Sequence, residues 1–287
     1  MNHPGRRASG KRLIPLLALL PVACALLVGQ FRGGGRYSNI SGISSGGELG
    51  GREGEFHFIR VEYRDLFGAQ RGFGFGSRSG IGRGWWMVDW PEADDHVSMG
   101  IGRLTRIDIG EPRHLPLTDE RLFDYPWIYA TQTGWWNLGE TETGRLREYL
   151  LRGGFLMTDD FWEGEQWRVF QQTMARVLPE REIVDVDPEE PIMNVLYNVD
   201  IRQRTFIPGL RHLWNRGGGQ VQVMQPPGTA PTWRAIYDGR SRVIVAANFN
   251  MDVGDAWEHA DWPIYPEAMT ALAYRFGINY IVYSMTH

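Results

Sequence analysis

The amino-acid sequence predicts an α/β domain built on a mostly parallel sheet. Residues 127–130 and 155–158 are two short apolar runs of the length expected for buried strands. Between them Leu146, Tyr149 and Leu150 recur at helical spacing. Two buried strands joined by a helix form a βαβ crossover, which requires parallel strands and helices on both faces of the sheet. The predicted fold class is therefore a three-layer α/β sandwich.

The N-terminal residues 1–31 are expected to form a membrane anchor or a signal segment, as a hydrophobic helix. Residues 13–29 carry no charged side chain, and basic residues precede them. A run of 17 residues is at the short limit for a membrane span and long for the apolar part of a signal peptide. Ala23-Cys24-Ala25 resembles a cleavage site, so an anchor and a cleaved signal both stay open. In both cases the basic residues stay inside and the remainder of the chain is exported. The uncleaved anchor is slightly favoured, and it predicts an inner-membrane protein with a periplasmic C-terminal domain.

A flexible linker is predicted to join this segment to the folded domain. Residues 32–54 are rich in Gly and Ser, and residues 55–287 are assigned to the α/β domain. A second Gly-rich stretch covers residues 65–84. It resembles a phosphate-binding loop, but it has no complete G-x-G-x-x-G and no Walker lysine, so we expect a surface loop.

The first part of the domain is predicted to contain two strands around a helix. Residues 56–63 are expected to be the first strand, apolar on both faces. The helix that follows should direct Val97, Ile101 and Leu104 inward. Residues 107–109 are predicted as the second strand.

Further elements are predicted after the central βαβ unit. A helix from Trp167 to Val177 is expected to end before Pro179, and a strand is expected at 183–186. Residues 187–232 are rich in Pro and Gly and are predicted to be an irregular insertion with a short strand at 221–224.

The last part of the chain is predicted to be a hairpin followed by helix. Residues 233–237 and 242–247 flank Asp238-Gly239, which is a tight turn signal. Pro266 opens a helix that we expect Gly277 to interrupt, and the apolar segment 278–285 is expected to be helical.

Composition excludes several classes of function. A net charge of −4 and a pI near 6.0 give no basic surface for nucleic acid, so no nucleic-acid partner is predicted. Cys24 is the only cysteine and lies in the N-terminal segment, so the folded domain has no disulfide and no thiol nucleophile. His57, His114 and His212 lack metal-ligand spacing, and neither a cofactor nor a metal site is predicted.

Polar side chains follow the predicted strands at the edge where α/β sheets bind ligands. If the strands are neighbours, three loops with several carboxylates meet in one crevice. Trp135 and Trp162 lie close enough in sequence to line it, beside a sugar for example. The candidate ligand-binding residues are Asp159, Asp160, Thr131, Thr133, Asp252, Glu258, Trp135 and Trp162.

Three interpretations of these carboxylates stay open. Asp159 and Asp160 stand between a strand and a helix, so they are suited to cap that helix. Together with Asp252, Glu258 and His259 they are also suited to bind a ligand, such as a hard cation or the hydroxyl groups of a sugar. The third interpretation is a general acid–base pair.

Several motifs resemble the bacterial family called domain of unknown function 4159. They include Phe-Ile-Arg-Val-Glu-Tyr at 58–63, Trp-Trp at 85–86 and Asp-Trp-Pro at 89–91. The most specific are Leu-Arg-Glu-Tyr-Leu at 146–150 and the run from 152 to 161 that ends in Asp-Asp-Phe. The resemblance extends from about residue 56 to the C-terminus.

This resemblance implies a flavodoxin-like fold, similar to that of class I glutamine amidotransferases. The active amidotransferases carry a cysteine at the turn after a central strand. The corresponding turn here is residues 158–162, which holds no cysteine. The resemblance therefore implies the fold without the amidotransferase activity.

Two functions follow as hypotheses. The first is a membrane-tethered, extracytoplasmic binding or assembly module with a protein partner and no catalysis. The second is a hydrolase that uses Asp159, Asp160 and Asp252 on a glycan or peptide of the cell envelope. The missing cysteine and the absence of a Ser-His arrangement favour the first.

Overall fold

A computed structural model describes residues 52–66, 84–215 and 221–287. Over these residues the chain forms a seven-stranded mixed sheet, a two-stranded ribbon and five α-helices. The prediction of an α/β domain with a mostly parallel sheet is confirmed.

The bounds of the regular elements are as follows. The strands are β1 (Ile59–Glu62), β2 (Arg113–Pro116), β3 (Trp127–Thr131), β4 (Phe155–Asp159), β5 (Val184–Asp185), β6 (Leu213–Trp214), β7 (Gln222–Val223), β8 (Thr232–Tyr237) and β9 (Val243–Phe249). The helices are α1 (Glu92–Leu104), α2 (Glu140–Leu151), α3 (Glu165–Val177), α4 (Val253–Glu258) and α5 (Glu267–Thr286).

The order of strands in the large sheet is β2-β1-β3-β4-β9-β8-β5. The pairs from β2 to β9 are parallel, and β8 and β5 are added antiparallel at one edge. β4 lies between β3 and β9, so the loops after these three central strands leave the sheet side by side.

Side chains of the central strands alternate between two apolar layers. Trp127 and Tyr129 of β3 pack into the core that α1, α4 and α5 cover. Ile128 and Ala130 pack into the opposite core, which α2 and α3 cover. Helices on both faces explain why β3 and β4 are buried along their whole length.

The second strand was predicted at the wrong position. Residues 107–109 form only one isolated bridge, between Ile109 and Phe56, whereas β2 begins at Arg113. β2 is an edge strand, and Arg113 and His114 are only partly buried. An edge strand does not need a continuous apolar sequence, so the apolar run at 107–109 was misleading.

Two details of the helices also differ from the prediction. Leu104 is 53% exposed at the end of α1, although Val97 and Ile101 are buried as expected. Gly277 does not interrupt the last helix. α5 is 20 residues long and continues through this glycine. A Cβ at Gly277 would lie 2.8 Å from the ring of Trp257, so this glycine permits close packing of α4 on α5.

The other elements predicted within the described residues are confirmed. α2 ends before Gly153, which has a φ of 104°. β8 and β9 form the hairpin around residues 238–242, and β5 pairs with its outer edge. The described residues of the insertion between β5 and β8 are irregular apart from short 3₁₀ turns and the β6–β7 ribbon.

Some predictions concern residues outside the described ranges. These are the N-terminal segment 1–31, nearly all of the linker 32–54, and most of the Gly-rich stretch 65–84. Within the described ranges, no helix is both long enough and apolar enough to span a bilayer.

Candidate functional site

The carboxyl ends of β3, β4 and β9 place the predicted polar residues along one edge of the sheet. Thr131 and Asp159 end β3 and β4 and are register partners, so their side chains lie on the same face. Asp252 follows β9 as the N-cap of α4. The predicted convergence of the three loops therefore occurs.

Asp159 caps a helix, but not the helix that follows it in sequence. Its Oδ2 accepts hydrogen bonds from the backbone nitrogens of Val253 (2.7 Å) and Gly254 (2.8 Å) at the start of α4. Its Oδ1 accepts one from the Tyr129 hydroxyl at 2.7 Å. The N-cap of α3 is Gly164, which has no side-chain cap. Asp159 thus ties β3, β4 and α4 together.

Asp160 occupies a sharp turn in the left-handed backbone region, with a φ of 47°. Its carboxylate is 1% exposed and is held by side chains. Oδ1 accepts hydrogen bonds from Trp162 Nε1 (2.7 Å) and Arg211 Nη2 (2.9 Å), and Oδ2 accepts one from Gln132. Gln132 also has a left-handed backbone, with a φ of 53°. Non-glycine residues with a left-handed backbone are uncommon, and here two of them are joined by a side-chain hydrogen bond. Such residues are often found at functional sites.

A second group of carboxylates surrounds the N-terminus of α4. One oxygen from each of Asp89, Asp252 and Asp255 lies within 4.8 Å of the others. Asp255, Glu258 and His259 form an overlapping group with the same spacing. Asp252 Oδ1 accepts a hydrogen bond from the backbone nitrogen of Asp255 at 3.0 Å, so Asp252 is also a helix cap.

Residues 207–212 of the insertion form one wall of this site. The backbone nitrogen of Asp252 donates to the carbonyl of Ile207 at 3.0 Å, and that of Leu210 donates to Asp255 Oδ2. Gly209 faces the carboxylates so closely that a Cβ there would lie 2.5 Å from Asp252 Oδ2. Arg211 lies 3.9 Å from the same oxygen and 4.9 Å above the ring of Trp162.

Asp89 is positioned by a buried arginine. Arg60 of β1 is fully buried and forms an ion pair with Asp94 of α1. Its Nη1 donates to the carbonyls of Trp86 (3.1 Å) and Val88 (2.8 Å). These bonds hold the segment before α1 on the sheet, with Asp89 at its end in a left-handed conformation (φ 64°).

Burial raises the pKa of most carboxyl groups in the site. Burial, followed by the neighbouring charge of Asp255, raises the pKa of Glu258 to about 7. Burial also raises the pKa of Asp159 to about 7, although Tyr129 and the α4 amides oppose the shift. The pKa values of Asp89 and Asp252 are raised in the same direction, first by burial and then by other carboxylates. The folded site therefore holds protons more tightly than an exposed acid does.

Not all predicted site residues reach the carboxylates. The Thr133 hydroxyl is hydrogen bonded to that of Thr158 at 2.7 Å inside the protein. Trp135 stacks on Trp85, with ring centroids 5.7 Å apart. Trp162 does lie in the site, beside Asp160.

Sequence reasoning did not identify several members of the site. They are Asp89, Asp255, Arg211 and Gln132, together with the supporting residues Tyr129 and Arg60. The Asp-Trp-Pro motif at 89–91 offered a signal, as did Asp255 three residues after Asp252. No local signal marks Arg211, which lies 51 residues from Asp160.

Comparison with known proteins identifies the family to which the chain belongs. A comparison with curated proteins finds no match. A family profile described as Domain of unknown function (DUF4159) matches residues 60–285, from within β1 to within α5. The chain therefore belongs to the DUF4159 family.

Proposed function

We propose that the chain is a membrane-tethered, extracytoplasmic module that binds a ligand or a protein partner without covalent chemistry. The proposed binding surface is the carboxylate crevice, which we define as Asp89, Asp159, Asp160, Asp252 and Asp255 with residues 207–212 as one wall. The observation that carries the proposal is the engagement of Asp159, Asp160 and Asp252 in hydrogen bonds within the protein. A nucleophile or general base needs a lone pair directed at substrate. These carboxylates instead direct their oxygens at backbone amides and neighbouring side chains.

The turn after β4 supports the same proposal. The finer fold that we propose is the flavodoxin-like one of the class I glutamine amidotransferases. Enzymes with a nucleophile at such a turn hold it in a strained conformation at the end of a central strand. Here Asp160 has that conformation, but its carboxylate is bound by Arg211, Gln132 and Trp162. The fold would then be reused for binding.

The membrane tether and the partner rest on the sequence. The uncharged run at residues 13–29, preceded by basic residues, predicts an inner-membrane anchor with the domain in the periplasm. A protein partner in a membrane or envelope complex is the corresponding expectation.

One observation favours a hydrolase as the second candidate. Burial and Asp255 raise the pKa of Glu258 to about 7, and its side chain is still 26% exposed. A carboxyl group with such a pKa is suited to general acid–base catalysis near neutral pH. This candidate would use Glu258 and Asp255 instead of the three aspartates predicted from the sequence.

The test is crosslinking in cells, followed by purification of the full chain from membranes through a C-terminal tag. Arg211→Ala removes the half-exposed guanidinium from the crevice wall. Arg240→Ala is the matched control, because Arg240 is exposed in the β8–β9 loop. This loop lies at the start of β9, whereas the site lies at the carboxyl ends of the strands. We expect one crosslinked partner with the parent and with Arg240→Ala, and a reduced yield with Arg211→Ala.

Two results would contradict the proposal. One is equal recovery of proteins with both variants, since binding would then not use the crevice. The other is release of soluble glycan or peptide fragments from cell envelopes by the purified full chain, with loss of this activity in Glu258→Gln.

A further inference from the structure

We propose that Asp89, Asp252 and Asp255 bind one hard divalent cation of the Ca²⁺ or Mg²⁺ class. The inference rests on the proposed binding function and names a ligand for the same crevice. The three carboxylates come from the segment before α1, the N-cap of α4 and the first turn of α4.

The spacing of the oxygens suits such a cation. One oxygen from each carboxylate lies within 4.8 Å of the other two. Ca²⁺ binds oxygen at about 2.3–2.6 Å, so ligands around one ion are separated by up to about 5 Å. Carboxylate oxygens are the preferred ligands of Ca²⁺ and Mg²⁺, and Glu258 is close enough to Asp255 to add a further one.

An independent observation is a pair of buried oxygens without partners. The Oδ2 atom of Asp89 is shielded from solvent, and no described residue donates a hydrogen bond to it. It rests against Gly254, where a Cβ would lie 2.4 Å away. The Thr131 hydroxyl is also without a described partner, and Thr131 is 0% exposed. A buried polar atom without a hydrogen-bond partner destabilises the folded state, and a bound cation or its water would offset that cost.

The Thr131 side chain lies on the same face of the sheet as the Asp159 side chain. Thr131 pairs in register with Asp159, and residues paired in this way direct their side chains to one face of the sheet. The Asp159 carboxylate on that face bonds to Gly254, which in turn touches Asp89. The unpartnered Thr131 hydroxyl therefore lies at the same end of the sheet and on the same face as the Asp159 carboxylate.

The negative charge of the site is only partly balanced. Arg211 forms its ion pairs with Asp160 and Asp252. Arg60 is bonded to Asp94. Among the described residues, no arginine forms an ion pair with Asp89 or Asp255, and the ion-pair partner of Asp255 is His259 at 3.7 Å. A divalent cation would supply the missing positive charge.

The experiment measures the melting temperature (Tm) of the full chain in mild detergent after treatment with EDTA. Ca²⁺, Mg²⁺ and Zn²⁺ are added separately from 10 µM to 1 mM. If 1 mM is about 100 times the Kd, we expect Ca²⁺ or Mg²⁺ to raise Tm by about 5–10 °C. Zn²⁺ should have a smaller effect, because the proposed ligands are carboxylate oxygens and not imidazole.

The variants Asp89→Asn and Asp255→Asn should lose this rise in Tm. Asp89→Asn retains the shape of the side chain and removes a buried charge, so its Tm without cation should equal or exceed that of the parent. Asp261→Asn is the control, because Asp261 is an exposed acid near the site but outside the group. It should retain the full rise.

Three results would overturn the inference. They are no change in Tm with Ca²⁺ or Mg²⁺, an equal rise in all three variants, and a rise with Zn²⁺ alone, which would assign the metal to Asp255, Glu258 and His259. None of these results involves hydrolysis or partner recovery, so the proposed binding function is tested separately.

Discussion

The Oδ2 atom of Asp159 accepts a hydrogen bond from the backbone nitrogen of Gly254 at 2.8 Å, across 95 residues of sequence. The carboxylate at the end of β4 thus stabilises the helix that follows the neighbouring strand β9. The same glycine lies against Asp89, so one contact connects the capping interaction with the proposed cation site. Asp159 therefore has a structural role directly beside the carboxylates that we propose as cation ligands.

Asp159→Ala should destabilise the domain by about 2 kcal/mol or more. The change leaves the buried N–H groups of Val253 and Gly254 without an acceptor. Asp159→Asn is the control, because its amide oxygen can accept from both N–H groups while its NH₂ donates to the Tyr129 hydroxyl. Chemical denaturation at pH 6 would measure the free energy of unfolding of both variants. Equal losses of stability would show that the capping hydrogen bonds do not account for the effect of Asp159→Ala.

Gly254→Ala should be destabilising by about 1–3 kcal/mol, although alanine is the better helix former. The new Cβ would lie 2.4 Å from Asp89 Oδ2 and 2.8 Å from the Tyr129 hydroxyl. Gly144→Ala in α2 is the matched control, because no atom lies within 4 Å of that Cβ position. It should stabilise by about 0.5–1 kcal/mol. Thermal melts of both variants would check the opposite signs, and a stabilising Gly254→Ala would contradict the described contacts.

Stability should fall as pH rises from about 5 to 8 in buffer that contains EDTA. Glu258 and Asp159 have folded pKa values of about 7, raised from 4.5 and 3.8. The folded protein therefore binds protons more tightly than the unfolded chain, and this contribution is full below about pH 4 and is lost as pH rises through 7. After burial, the charges of Asp255 and Glu92 raise the pKa of Glu258, whereas a hydrogen bond with Asp89 lowers it. His259 lies beside Glu258.

Glu258→Gln should make this pH dependence shallower, by on the order of 1 kcal/mol between pH 5 and 8. The free energy of unfolding, measured at several pH values for parent and variant, would check the change in slope. Parallel curves would mean that Glu258 does not titrate in this range.

A phosphatase reporter that is active only after export should be active when it is fused after His287. The reason is the uncharged run at residues 13–29 with basic residues before it, which predicts that the C-terminus lies outside. A reporter that is active only in the cytoplasm serves as the control in the same position. Activity of that reporter, with an inactive phosphatase, would reverse the predicted orientation.

The sequence by itself determined the parallel sheet and the edge that carries the site. Residues 127–130 and 155–158 are central strands, and burial on both faces requires an apolar sequence that can be recognised locally. The placement of Asp159, Asp160 and Asp252 at strand ends follows from the same local pattern. The edge strand β2 was misplaced because an edge strand has no such requirement.

Only the tertiary structure decided which groups within the protein these carboxylates contact. Asp159 precedes α3 in sequence but caps α4, because β9 is inserted beside β4 and brings the start of α4 within hydrogen-bond distance. Arg211 reaches Asp160 from an irregular insertion, and Asp89 reaches α4 because Arg60 holds its segment on the sheet. Such contacts join segments far apart in sequence, and their partners depend on strand order and loop path, which no local periodicity encodes.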